Sequence, residues 1–317
     1  MQIILLLLGF IFLIKGADFL VEGASSIARK WGVSPLVIGL TVVAFGTSMP
    51  ELMVSLLSSI NGSSDLAIGN VVGSNIANTL LILGVAAVIF PLKVTSGTVW
   101  KEIPLSLLAV LVLAVLANDA LIDGASSSAL TRIDGLAFLS FFLIFLYYTF
   151  GISKIKDSDE EDGIPTHKIY VALGMVLLGL TGLMIGGNWV VTSSSEIAKT
   201  LGLSEKLIGL TIVAIGTSLP ELFTSAIAAY KHRADIAIGN VVGSNIFNVF
   251  FVLGTSSSIH SISYAPALNF DLMVAGIATA ILFLFMFIGK SHSLDRWQGA
   301  IFILLYIAYL VFLVLRG

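Results

Sequence analysis

Two glutamates stand in segments that are otherwise apolar enough to cross a membrane. Glu51 closes Gly46-Thr47-Ser48-Met49-Pro50-Glu51, and Glu221 closes Gly216-Thr217-Ser218-Leu219-Pro220-Glu221, 170 residues later. Pro50 has no N–H and crowds the carbonyl four residues before it, that of Gly46, so a helix carrying it breaks there. The carbonyls freed around Ala44 to Thr47 find no partner in lipid. A desolvated cation is one group that supplies it. On the helix after the break, Glu51 lies beside Thr47 and Ser48 at spacings of four and three. Carbonyls, hydroxyls and carboxylate are therefore expected to converge, and Ala214, Thr217, Ser218, Pro220 and Glu221 repeat the arrangement. The chemistry this predicts is an oxygen-lined site for a hard cation.

An acid at the centre of a membrane helix costs on the order of 2.5–3.5 kcal/mol on insertion scales. Two of them are an expense that packing does not require. The competing reading, a neutral hydrogen-bonded link between helices, accounts less well for a duplicated, proline-broken motif. Ser74 and Asn78, four apart on the next helix, are mirrored by Ser244 and Asn248. Their oxygens either complete the shell or only join helices. Calcium takes about six to eight oxygens, and a site without nitrogen or sulfur donors suits a hard ion.

Other motif residues have plainer readings. Gly69 with Gly73, and Gly239 with Gly243, form small-residue faces for close helix approach. Asp65 and Asp235 are expected as N-caps. Asn70, Asn75, Asn240 and Asn245 read as packing or outer groups rather than ligands. Lys15, Asp18 and Glu22 are spaced as a local ion-pair set. His167, His232, His260 and His292 fall in loops or at helix ends and are expected to be solvated.

The elements that position these groups are membrane helices. Of the 317 residues, 57% are hydrophobic and 11% charged, well below the roughly 25% charge of soluble domains. Net charge is −3, which offers no basic surface for nucleic acid. The absence of cysteine excludes disulfides and thiolate metal sites. Runs of about 20 apolar residues suit a core of about 30 Å. About ten are read, near 2–28, 35–60, 65–89, 100–118, 132–152, 168–198, 205–229, 235–259, 267–290 and 295–315. The first lacks a basic leader, and its Gly16-Ala17-Asp18-Phe19 corresponds to Gly186-Gly187-Asn188-Trp189 inside a later span, so it reads as a membrane helix rather than a signal peptide.

Residues 35–84 and 205–254 match best, and the twelve residues Asp65 to Ile76 differ from Asp235 to Ile246 at one position. The fold expected is all-α, with residues 1–152 and 168–317 as two repeats of about five helices. An odd helix number inverts the second repeat relative to the first. Residues 153–167, with Asp157, Asp159, Glu160, Glu161 and Asp162, form an acidic linker without the ligand periodicity of an EF-hand loop. Basic residues set the orientation. With the N-terminus outside, Arg29, Lys30, Lys93, Lys101, Lys154, Lys156, Lys168, Lys231, Arg233, Lys290 and Arg296 lie inside. Only Arg132, Lys199, Lys206 and Arg316 lie outside. Both termini are therefore expected to be extracellular and the linker cytoplasmic, in the cell membrane of a prokaryote.

At Gly-Thr-Ser-x-Pro-Glu followed by Gly-Asn-x-x-Gly-Ser-Asn-Ile, present twice, the chain closely resembles the sodium/calcium exchanger family of the cation/calcium antiporter superfamily. The resemblance covers nearly the whole chain. It implies ten helices, a core of the second, third, seventh and eighth, and a first and sixth that slide across it. It makes Glu51 and Glu221 the shared calcium and sodium carboxylates, with carbonyl and hydroxyl oxygens from Thr47 and Thr217 and hydroxyls from Ser48 and Ser218. Ala44 and Ala214 would offer carbonyls to sodium, and Ser74, Ser244, Asn78 and Asn248 would line the same cavity. Some relatives, including potassium-dependent ones, carry Asp where this chain has Asn248, which argues against a potassium requirement. The proton-coupled branch shows Gly-Asn-x-x-Glu, so Thr47-Ser48 and Thr217-Ser218 favour sodium over protons.

The expected function is exchange of Na+ for Ca2+ by alternating access, with a proton/calcium antiporter as the alternative. A channel would need a repeated carbonyl filter. A membrane hydrolase would need a nucleophile–base pair. Neither pattern is present beside the glutamates. The expected partners are the two ions and the lipid bilayer, with no cofactor, no obligate protein partner and no catalytic residue.

Overall fold

The computed structural model describes residues 2–152, 167–200 and 214–316. The chain runs as α1 (Gln2–Trp31), α2 (Pro35–Thr47), α3 (Met49–Ile60), α4 (Ser64–Ile89), α5 (Thr98–Leu116), α6 (Arg132–Gly151) and α7 (Ile169–Thr200). It continues as α8 (Ala214–Gly216), α9 (Leu219–Tyr230), α10 (Ala234–Ile259), α11 (Pro266–Phe285) and α12 (Arg296–Leu315). Among the described residues, eight helices are long and apolar enough to cross a membrane, and the α2–α3 pair, bent by 46°, makes a ninth. The span expected at 205–229 begins on residues outside the described set; α8 and α9 are its described part. The acidic linker also lies outside the described residues.

Burial sorts the helices. In its most apolar window α10 is 94% buried and α4 72%, whereas the other long helices fall between 22% and 39%. The two helices that carry the Gly-Ser-Asn motifs therefore form the centre of the bundle. The rest turn large side chains such as Leu143, Leu177 and Leu304 outward, as expected where lipid is the solvent.

The long helices α1 and α7 pack backbone to backbone. A Cβ on Gly16 would lie 2.8 Å from the Leu183 nitrogen and 2.9 Å from the Gly179 carbonyl. One on Gly186 would lie 2.7 Å from the Gly9 carbonyl. Only glycine permits this approach. At the centre, Gly243 of α10 meets Leu40 and Ala44 of α2 in the same way, with its would-be Cβ 2.8 Å from the Ala44 methyl. The close approach expected of Gly239 and Gly243 is thus present. At Gly69 and Gly73, where the same approach was expected, a Cβ would meet nothing within 4 Å among the described residues.

Two short antiparallel ladders, absent from the sequence expectation, tie loops of the two halves together. Leu92–Lys93 pairs with Ser293–Leu294, and Ala129–Leu130 pairs with Ile262–Ser263. The first explains why α11 ends at Phe285 rather than near 290. The chain must turn back to reach Leu92, and Gln298 donates to the Phe285 and Ile288 carbonyls at 3.0 and 2.9 Å, closing the helix end. Asp65 and Asp235 are not caps. They lie inside the first turns of their helices, whose capping residues are Ser63 and Arg233, where a carboxylate still favours the helix dipole.

Candidate ion-binding site

The first helix break is made by Ser48 alone and the second by Thr217 and Ser218. Ser48 (φ −83°, ψ 7°) and Ser218 (φ −87°, ψ 5°) leave the helical region, and the proline sits at the second residue of the helix that follows. The break ends α2 and α8 in mid-bundle and turns Glu51 and Glu221, in the first turns of α3 and α9, toward α4 and α10. A second irregularity lies opposite. Residues Ala77–Ile82 of α4 and Phe247–Leu253 of α10 are wound with i→i+5 hydrogen bonds. The extra residue per turn re-aims the side chains that follow. Asn78 and Asn248 lie at the start of these wide turns.

The two halves exchange hydroxyls. Ser48 donates to Glu221 Oε1 at 3.0 Å, and Ser218 to Glu51 Oε1 at 3.4 Å. Ser74 donates to Glu51 Oε1 at 3.4 Å and Ser244 to Glu221 Oε1 at 3.5 Å, while Ser218 also reaches Ser74 at 3.2 Å. The spacing suggested that each glutamate would gather the hydroxyls of its own stretch. The serine instead crosses to the other glutamate, because the break rotates its side chain away from its own helix. Thr47 turns elsewhere, donating to Asn240 Oδ1 at 3.0 Å and lying 3.4 Å from the Ala44 carbonyl. Thr217 faces Asn70 Oδ1 at 3.5 Å.

Asn70 and Asn240 brace the carboxylates from behind. Asn70 donates to the Glu51 carbonyl at 3.2 Å and to Ser55 at 3.0 Å. Asn240 does the same for Glu221, at 3.3 Å, and Ser225, at 2.9 Å. Glu51 is 1% exposed and Glu221 0%. In this group four oxygens are buried with no donor among the described residues: Glu51 Oε2, Glu221 Oε2, Asn78 Oδ1 and Asn248 Oδ1. A connected, sealed group with more acceptors than donors suits a positive charge.

A family model described as sodium/calcium exchanger protein matches residues 1–151 and 171–315. The chain belongs to the sodium/calcium exchanger family. It is 39% identical to a putative antiporter, CaxA, of Alkalimonas amylolytica, with 96% of each chain covered. It is 34% identical to the sodium/calcium exchanger MaX1 of Methanosarcina acetivorans, over 98% of this chain and 97% of that one. The solved structure of the sodium-calcium exchanger NCX_Mj soaked with 10 mM Na+ and no Ca2+ superposes with a TM-score of 0.84 at 35% identity, covering 98% of each. The chain is thus a multi-pass membrane protein with bacterial and archaeal relatives.

Within this exchanger fold the remaining expected site residues have definite places. Ala44 is buried, and its carbonyl already accepts from the Ser48 N–H at 3.0 Å as well as facing Thr47. Ala214 opens α8, at the edge of the described residues. Asp18 and Glu22 form an ion cluster, but with Lys231, at 2.5 and 3.4 Å, rather than with Lys15. His167, expected to be solvated, lies 2.8 Å from Glu22, and His232 packs edge-on against Phe90. A third buried carboxylate, Glu102 of α5, accepts from Tyr148 of α6 outside the central group. Its position beside Lys101, near the start of a span, hid its burial from the sequence.

Proposed function

We propose that this protein exchanges Na+ for Ca2+ by alternating access, with Glu51 and Glu221 as the two carboxylates of one site. The reading is carried by the four buried, donorless oxygens of Glu51, Glu221, Asn78 and Asn248. Ser48, Ser218, Ser74 and Ser244 adjoin the carboxylates and complete an all-oxygen donor set with backbone carbonyls of Ala44, Thr47, Ala214 and Thr217. Two carboxylates balance one Ca2+. Sodium ions spread over the same carboxylates, hydroxyls and carbonyls balance them equally well. A bare pair of buried anions is costly to move through a low-dielectric barrier, so the site crosses loaded with one ion or the other, and the fluxes couple.

The layout that goes with this reading has ten spans in two inverted repeats, residues 1–152 and 168–317, joined by a cytoplasmic linker at 153–167 and with both termini outside. Helices α1 and α7 are the elements that shift across the core. Proteoliposomes loaded with Na+ and diluted into Ca2+ at clamped pH test the function. Sodium-driven Ca2+ uptake is expected, and it disappears in Glu51→Gln and in Glu221→Gln. Uptake that ignores the sodium gradient points to protons as the counter-ion, and normal uptake by either variant removes the site.

A further inference from the structure

An amide side chain has one end a cation accepts and one it rejects: oxygen binds, N–H repels. For Asn78 and Asn248 to serve as ligands, something must fix which end faces the ions. Their amino groups identify it. Asn248 Nδ2 donates to Asn75 Oδ1 at 3.1 Å, and Asn78 Nδ2 donates to Asn245 Oδ1 at 3.1 Å. In both cases the amide oxygen is left buried with no donor.

Asn75 itself has only one orientation available. Its Nδ2 donates to the backbone carbonyl of Asn245 at 3.2 Å, and a carbonyl can only accept. The Asn75 oxygen must therefore face Asn248, and Asn248 must answer with its amino group. The mirror position differs. Asn245 Nδ2 donates to the Thr79 hydroxyl at 2.9 Å, a group that can also donate. The residue matching Thr79 in the second half is Val249, fully buried, which offers Asn75 no such hydroxyl. The carbonyl-anchored arm is thus the more tightly determined of the two.

We propose that Asn75 and Asn245 are positioning residues that turn the amide oxygens of Asn248 and Asn78 toward the transported ions. The proposal rests on the reading of Asn78 and Asn248 as ligands. Neither Asn75 nor Asn245 touches the ions in this scheme; each sets the polarity of a neighbour that does, as outer-shell partners do at metal sites.

The test is Asn75→Leu, which removes the acceptor at similar size, made with Asn248 present and again with Asn248→Asp. A carboxylate has an oxygen at both ends and cannot be turned the wrong way. Apparent Ca2+ affinity is read from uptake in proteoliposomes and from Ca2+-induced thermal stabilisation in detergent, so a slow variant still gives a value. With Asn248 present, Asn75→Leu weakens Ca2+ by about 10-fold or more. In the Asn248→Asp background the same change stays within about two-fold, or improves binding by removing an oxygen that faces the new carboxylate. Equal losses in both backgrounds overturn the proposal and make Asn75 a packing residue. A distinct control, Asn248→Leu with unchanged Ca2+ affinity, removes Asn248 from the site altogether. If Asn75→Leu does not fold, Asn75→Ser, too short to reach Asn248, gives the same comparison.

Discussion

Ser48 in the first helix break donates its hydroxyl to Glu221 in the second half, 173 residues away in sequence. Ser218 returns the bond to Glu51. The proposed site therefore draws on both halves. Removing the Ser48 hydroxyl should weaken Ca2+ by about 1.5–3 kcal/mol, the range for a hydrogen bond to a charged group. The loss should shrink when Glu221 is already Asp, a shorter carboxylate that keeps its charge but draws back from the hydroxyl. A double-mutant cycle on Ca2+-dependent thermal stabilisation checks this. Full additivity would mean that the serine does not act through the opposite glutamate.

Ligand linkage gives a second expectation. At 100 times its dissociation constant, Ca2+ bound only to the folded protein adds about 2.7 kcal/mol of stability. Wild-type protein in detergent should melt higher with Ca2+, and Glu51→Gln and Glu221→Gln should not. A variant that keeps the calcium shift would place the ion elsewhere.

The glycine seam between α1 and α7 predicts a contrast. A methyl at Gly16 meets backbone atoms at 2.8 and 2.9 Å that cannot move aside, whereas one at Gly174 meets nothing within 4 Å. Gly16→Ala should cost about 1–3 kcal/mol, and Gly174→Ala should be neutral or slightly stabilising. Unfolding of the two purified variants, followed by intrinsic fluorescence, separates them.

Glu102 offers a stability test outside the site. Tyr148 is the donor to its Oε1, and its Oε2 has no partner. Tyr148→Phe removes the tyrosine donor from a buried carboxyl, a loss of about 1–3 kcal/mol. Ca2+ affinity should be unchanged, because no hydrogen bond links this pair to the central carboxylates. A shift in affinity comparable to that of Ser48→Ala would connect the two regions.

Much of the arrangement was legible in the residues. The 170-residue repeat, Pro50 and Pro220 identified the breaks, and the spacing of Ser74 with Asn78 put both on one helix face. The assignment of hydroxyls to carboxylates was not legible, because Ser48 reaches Glu221 only through the way the halves interlock. The wide turns at Ala77–Ile82 and Phe247–Leu253 carry no mark in the sequence either. Asn70 and Asn240 read from the sequence only as packing or outer groups. What spacing alone did not reveal is that each braces a glutamate's backbone and receives a threonine from the other half. Lys231 was assigned to a loop, and its partnership with Asp18 and Glu22 depends on the docking of α9 against α1.

The seam of α1 and α7 reaches beyond packing. At 1.5 Å per residue, helices of 30 and 32 residues measure about 45 Å, well over the roughly 30 Å of hydrocarbon they cross. A lean or an extension past the hydrocarbon takes up the difference, and with their backbones in contact the two helices take it up together. In the most apolar stretch of each, 28% of the residues are buried inside the protein, which leaves an outer face for acyl chains. A mismatch between the bilayer and these two spans is therefore met by α1 and α7 as one body.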